Sequence, residues 1–180
     1  EIQESIEKLH EAINKINKEG VTRLKDAFKI VNENFERLFT KLFGGGKAYL
    51  KLIQNEEDPL NSGLEIFASP PGKKMQNITL LSGGEQALTA ISLLFAVFMA
   101  KPSPFCILDE VDAPLDDNNV DRFCSMVEEI SEKVQTKFII ITHNRMTMSR
   151  VDRLYGVTMP EEGISQIVSV ELEEAVKYAE

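Results

Sequence analysis

Two short apolar runs limit the possible folds more than any other feature of this chain. Phe105-Cys106-Ile107-Leu108 ends in Asp109-Glu110, and Phe138-Ile139-Ile140-Ile141-Thr142 ends in His143. Each is too short for a core helix and rich in β-branched or aromatic residues, so each predicts a strand. Apolar residues at successive positions predict burial on both faces. Between them, residues 120–134 carry a helical pattern. Strand, helix, strand with short turns is the pattern of a parallel α/β sheet with right-handed crossovers. The polar residues closing such strands fall at the carboxyl edge of the sheet, where open α/β folds bind ligands.

The segment before this unit has a different period. Ile2, Ile6, Leu9, Ile13 and Ile16 recur at a 4-3-4-3 spacing, and Leu24, Phe28, Val31, Phe35 and Leu38 resume it after a slip near Gly20. An average spacing of 3.5 with charges between is a coiled-coil seam, although an amphipathic helix packed on its own domain gives a similar pattern. The first half has only aliphatic knobs and the second brings Phe28, Phe35 and Phe39. The expectation is therefore a coil to about Gly20, needing a second strand, and then a helix docked on the body. Gly44-Gly45-Gly46 stops that helix. Strands are expected around residues 48–53 and 64–68, separated by the turn residues Glu57-Asp58-Pro59 and Asn61-Ser62-Gly63. Pro70-Pro71-Gly72-Lys73-Lys74 reads as a loop, Leu81-Ser82-Gly83-Gly84 as a tight turn, and residues 85–100 as an apolar helix. Its apolar run, residues 87–100, is interrupted by Thr89 and Ser92 and is short for a bilayer, which predicts a buried helix. The tail predicts a hairpin over residues 154–158 and 164–172, then a final helix.

Composition narrows the class. The chain has 180 residues, two cysteines and no tryptophan, and a start at Glu1 without Met or signal-type segment is expected of a piece of a longer chain. Cys106 and Cys124 sit among apolar residues and imply no disulfide framework, as expected of reduced core thiols in an intracellular protein. Of 29 acidic and 20 basic residues, residues 1–43 hold eight of each, so residues 44–180 carry the whole net charge of −9. Such a body is expected not to hold nucleic acid tightly by itself, since phosphate neutralisation supplies most non-specific affinity. Six carboxylates and no cation fall between Asp109 and Asp121, a cluster that asks for a metal, a basic partner or water.

Three stretches can carry chemistry. At the start of a helix, Leu81-Ser82-Gly83-Gly84-Glu85 offers free N–H groups, a hydroxyl, the positive dipole end and little steric cover. That combination suits phosphate, and it is equally an N-cap with a capping-box glutamate. Asp109 can hold Mg²⁺ and Glu110 can polarise a water, or Asp109 can cap a helix. His143 can hydrogen-bond a γ-phosphate or serve structure alone. His10, the other histidine, lies on the coil and receives no role.

The order is more specific than the parts: 27 positions separate Ser82 from Asp109, and 34 more lead to His143. In this order the stretches resemble the C-terminal half of an ABC-type ATPase head. Residues 81–85 look like the signature motif, 105–110 like Walker B, 113–117 like the D-loop and His143 like the switch histidine. Three further segments narrow the resemblance: Gly44-Gly45-Gly46-Lys47-Ala48, Glu57-Asp58-Pro59-Leu60 and Pro70-Pro71-Gly72-Lys73-Lys74. With the coil and Val111-Asp112-Ala113-Pro114-Leu115-Asp116-Asp117, they look like the C-terminal head lobe of bacterial SMC (structural maintenance of chromosomes) proteins. The resemblance covers essentially the whole chain.

That resemblance implies an α/β fold, with residues 1–43 as coiled-coil end and docking helix and residues 44–180 as the lobe. ATP and Mg²⁺ would be the cofactors. Ser82, Gly83 and Gly84 would contact the γ-phosphate of ATP on the opposite head. Asp109 would help hold Mg²⁺, Glu110 would be the catalytic base, Asp116 would communicate across the dimer and His143 would sense the γ-phosphate. Implied partners are the N-terminal lobe of the same parent, a second head, a kleisin subunit, and DNA through the assembled complex, with no membrane. The implied location is cytoplasmic and nucleoid-associated, in chromosome condensation and segregation. The sequence contains no G-x-x-x-x-G-K-[ST], so nothing in it would cradle the α- and β-phosphates, and the chain alone is expected not to hydrolyse ATP. Rival readings are a coiled-coil ABC ATPase of DNA repair or recombination, a non-catalytic interaction module, and a transporter nucleotide-binding domain, which would carry no N-terminal coil.

Overall fold

A single helix, α1 (Ile2–Phe43), leads into a body built around its last three turns. The computed structural model describes residues 2–53, 55 and 59–170. The expected turn at Glu57-Asp58 and the expected final helix therefore lie outside the described residues. On α1 the seam residues Ile2, Ile6, Leu9, Ile13 and Ile16 are exposed, while Phe35, Leu38, Phe39 and Leu42 are buried. The buried residues lie in the aromatic half, and the helix runs unbroken through the slip at Gly20. A side chain at Gly20 would meet Leu60, which lies against the helix there.

The helix ends where the glycines begin. Gly44 takes a left-handed φ of 68°, and the N–H groups of Gly45 and Gly44 turn back to the carbonyls of Thr40 and Lys41 at 2.8 and 3.2 Å. This is a Schellman closure, open to glycine because it lacks a Cβ. At Gly46, also at positive φ, an added Cβ would sit 2.4 Å from the Ser69 carbonyl. The following strand, β1 (Lys47–Ile53), pairs antiparallel with β2 (Gly63–Ser69), and β2 pairs with the two-residue β3 (Gln76–Asn77). Ala48 and Leu50 alternate inward, as their spacing predicts.

Helix α2 (Gly83–Ala100) buries Leu88, Ile91, Phe95 and Ala96. It is long and apolar enough to cross a membrane by length and composition alone. Its Thr89 and Ser92 hydroxyls donate to carbonyls one turn back, at 2.7 and 2.9 Å, so they enter the core already satisfied. The expected buried helix is met on one face, while Leu94 and Val97 are exposed.

The α/β unit follows. Strand β4 (Phe105–Asp109) leads through α3 (Asp117–Val134) to β5 (Lys137–Ile141), and the strands pair in parallel with Asp109 opposite Ile141. Phe123 of α3 meets Phe95 of α2 at a ring distance of 6.3 Å, and Phe138 of β5 meets Phe95 at 6.0 Å, closing one core. The expectation of burial on both faces is corrected here. Leu108 is buried, but Phe105, Ile107, Ile139 and Ile141 are exposed. The parallel sheet has two strands, and α3 covers one face only, so alternate side chains point away from the core. A short helix, α4 (Arg145–Ser149), which the sequence reading omitted, precedes the expected hairpin of β6 (Leu154–Glu161) and β7 (Ile164–Val170).

Candidate functional site

The carboxyl edge of the parallel sheet gathers three of the residues singled out from sequence. Asp109 ends β4, and Glu110 stands next to it with a φ of 49°, rare for a residue with a side chain. The Glu110 N–H continues the ladder to the Ile141 carbonyl at 2.9 Å. Its side chain thus emerges beside the loop after β5, and Glu110 Oε1 lies 3.7 Å from His143 Nδ1. Both side chains are mostly exposed. Among the described residues, no hydrogen bond or ion pair engages the Asp109 carboxylate. A single free carboxylate at a strand end matches how Mg²⁺ is commonly held, with waters and phosphate oxygens completing the shell.

The rest of the acidic stretch is not a multi-carboxylate metal site. Among the described residues no group of three or more His, Cys, Asp or Glu could hold a metal. Asp116 caps α3, accepting the Asn119 N–H at 2.9 Å and the Asn119 side-chain amide at 3.1 Å. Asp121 pairs with Arg150 at 2.6 Å. Asp112 turns inward and is buried.

Ser82, Gly83 and Gly84 stand apart from this group. No hydrogen bond or ion pair joins them to Asp109, Glu110 or His143 among the described residues. The expected tight turn is corrected: Ser82 is the N-cap, and Gly83 and Gly84 form the first helical positions of α2 without positive φ. Their contribution is absence of bulk, since a Cβ at either would meet nothing within 4 Å. The open helix start, with little steric cover and the positive dipole end, fits a phosphate oxygen.

Ser82 is held by its neighbours. Its hydroxyl donates to Glu85 Oε2 at 2.7 Å and its N–H to the same oxygen at 3.1 Å. Lys73 Nζ donates to Glu85 Oε2 at 2.9 Å and lies 2.8 Å from Oε1. The Lys73 hydrogen bond holds the Glu85 carboxyl below the usual carboxylate range. Burial pushes the Cys106 and Cys124 thiols up, in keeping with inert core cysteines. The partner of Lys73, Glu85, lies 12 positions on, beyond any local pattern in the sequence.

The matches to known proteins decide the family. Residues 2–166 match the RecF/RecN/SMC N terminal domain. The chain belongs to that family. It is 58% identical over 176 residues to the chromosome partition protein Smc of Rhodopseudomonas palustris, covering 98% of this chain and 15% of that protein. The chain thus spans a small part of the Smc relatives it matches. Among solved structures, one described under ATP-driven dimerization and DNA stimulated activation of SMC ATPases shares 40% identity. It has a TM-score of 0.79 and covers 88% of this chain and 94% of that one. The Smc head domain of Pyrococcus furiosus with an extended coiled coil, bound to the C-terminal domain of ScpA, shares 42% identity. Its TM-score is 0.77, over 96% of this chain and 42% of that one. The fold is that of SMC ATPase heads, and the chain is homologous to a fragment of such a head.

Proposed function

We propose that this chain is the C-terminal lobe of an SMC-type ATPase head, with residues 1–43 ending a coiled coil and residues 44–180 forming the lobe. The observation that carries the reading is the convergence of Asp109, Glu110 and His143 on one parallel-sheet edge. The exposed apolar face of Phe105, Ile107, Ile139 and Ile141 supports it, since such a face calls for a further packing layer. The likeness to Smc relatives and head structures points the same way.

When bound, ATP and Mg²⁺ would supply the scissile phosphoanhydride and the neutralisation of its charge. The chain's own residues then have distinct tasks. Asp109 offers the carboxylate for the cation. Glu110 accepts a proton from the attacking water, its carboxylate free enough of partners to do so. His143, 3.7 Å away, orients a hydrogen-bonding nitrogen toward the same space. Ser82, Gly83 and Gly84 present the α2 N-terminus to a phosphate held by a second head, which explains why they stand apart from Glu110 in this chain. Asp116, at the start of α3, carries contact between heads.

The missing phosphate-cradling loop belongs to the N-terminal lobe of the same parent, and this chain alone is inactive. Partners are that lobe, a second head, a kleisin subunit of the kind seen with the Pyrococcus head, and DNA through the assembled complex because this lobe is acidic. The setting is chromosome condensation and segregation, in the cytoplasm at the nucleoid. The test is ATP turnover by the chain alone and after adding the lobe bearing G-x-x-x-x-G-K-[ST], with Glu110→Gln as control. Silence alone followed by Glu110-dependent turnover on mixing supports the reading. Silence in both arms refutes it.

A further inference from the structure

We infer that Asp112 is a positioning residue that sets the spacing of Glu110 and His143, an inference that rests on the ATPase reading above. Asp112 lies two residues after Glu110, in tight turns where the Ala113 N–H meets the Glu110 carbonyl and the Leu115 N–H meets the Asp112 carbonyl. It is 1% exposed, the one acidic side chain among the described buried residues. Its Oδ2 accepts the Thr142 hydroxyl at 2.6 Å and the Thr147 hydroxyl at 2.5 Å. Thr142 precedes His143 and in turn accepts the Asn144 N–H at 2.9 Å, so His143 is bracketed by residues of this network. Thr147 lies on α4, buried beside Cys124 of α3. One carboxylate oxygen therefore ties the loop carrying Glu110 to the loop carrying His143 and to the helix behind it.

Asp112 Oδ1 is buried and without a hydrogen-bond partner. A buried unsatisfied acceptor is costly, and a threonine pair could be accommodated more cheaply by apolar packing. A carboxylate kept there under that penalty fits a group whose task is geometric: two hydroxyls held at one point on a rigid turn. The strand ladder sets the backbone of Glu110 beside Ile141, but the Glu110 and His143 side chains are exposed, and among the described residues no other side chain engages either. A general base displaced by about 1 Å can lose about 100-fold in rate.

The test uses the assembled head, this chain with the nucleotide-cradling lobe of its parent. Asp112→Ala is expected to lower kcat by about 10- to 100-fold, with KM moving less than about threefold. Asp112→Asn, which keeps one acceptor oxygen, is expected to restore most of the rate. In a His143→Ala background, Asp112→Ala is expected to cost less than about twofold, because both changes remove the same arrangement. Thr142→Val removes one hydroxyl at nearly constant shape and is expected to follow Asp112→Ala, which keeps the idea testable if that variant does not fold. A second readout needs no turnover. His143 is one of two histidines, so its ring proton signals are readily separated from those of His10. They should shift in Asp112→Ala and Thr142→Val while those of His10 stay in place. Unchanged kcat in Thr142→Val, equal losses with and without His143, or unmoved His143 signals would each overturn the role. A wild-type assembly without Glu110-dependent turnover would instead overturn the ATPase reading itself, and the role with it, before any Asp112 variant is compared.

Discussion

His143 Nδ1 stands 3.7 Å from Glu110 Oε1 at the carboxyl ends of two paired parallel strands. With both side chains mostly in water, this approach adds little to stability, since exposed pairs contribute about 0–1 kcal/mol. Chemistry and stability should therefore separate. His143→Ala and Glu110→Gln are expected to shift unfolding free energy by less than about 0.5 kcal/mol. In the assembled head, Glu110→Gln should lower hydrolysis by about 10²- to 10⁴-fold while ATP-driven head engagement persists. Urea unfolding and steady-state turnover on the same preparations check both halves.

Ser82→Arg should block engagement of two heads and leave nucleotide binding by the companion lobe intact. Ser82 is exposed at the N-cap of α2, with open space at Gly83 and Gly84 beside it, so an arginine fills the phosphate approach without entering the core. Loss of the cap should cost about 1 kcal/mol. Sedimentation with ATP in the Glu110→Gln background reads engagement directly. Undiminished dimer would remove Ser82 from the interface between heads.

Asp116 caps α3 through Oδ1, which accepts the Asn119 N–H, while Oδ2 accepts the Asn119 side-chain amide. Asp116→Ala should destabilise the chain by about 1 kcal/mol, and Asp116→Asn by no more than a few tenths. The asparagine variant thus keeps the helix start while removing the charge. A fall in turnover with Asp116→Asn at unchanged stability would report contact between heads rather than a frayed helix.

Lys73 and Glu85 predict a pH effect with a definite sign. Glu85 titrates below its ordinary range chiefly because Lys73 donates to it. Its contribution to stability is thus fully present above the unfolded glutamate pKa of about 4.3 and is lost as pH falls through the depressed folded value. Lys73→Ala should reduce stability at neutral pH by about 0.5 kcal/mol, less at high salt, and flatten the acid limb. Urea midpoints measured across the acid range test this, and an equally steep limb in the variant would show that Lys73 is not the cause.

Residues 105–109 and 137–141 could be recognised as strands because β-branched and aromatic runs bounded by breakers encode extended backbone locally. The stop at residues 44–46 was equally legible, since the left-handed closure after α1 requires glycine there. The burial on both faces that the apolar runs of β4 and β5 predict is not met, for a physical reason. An apolar side chain does not state whether its covering layer lies in the same chain, and Ile107 and Ile139 are exposed here. Gly83-Gly84 suggests a turn before the helix, yet glycine takes helical φ as readily, and with Ser82 as N-cap α2 starts at Gly83, two residues before the expected residue 85.

Sequence alone determined the local elements, the residue types at the strand ends and the missing phosphate loop, because each depends on neighbours within a few positions. Tertiary structure decided which of those residues meet. Thr142 and Thr147 lie 30 and 35 positions from Asp112, and their hydroxyls converge on one oxygen only once β5 has paired with β4 and α4 has packed on α3. Glu110 and His143 become neighbours by the same pairing, since a parallel register places the two strand ends side by side.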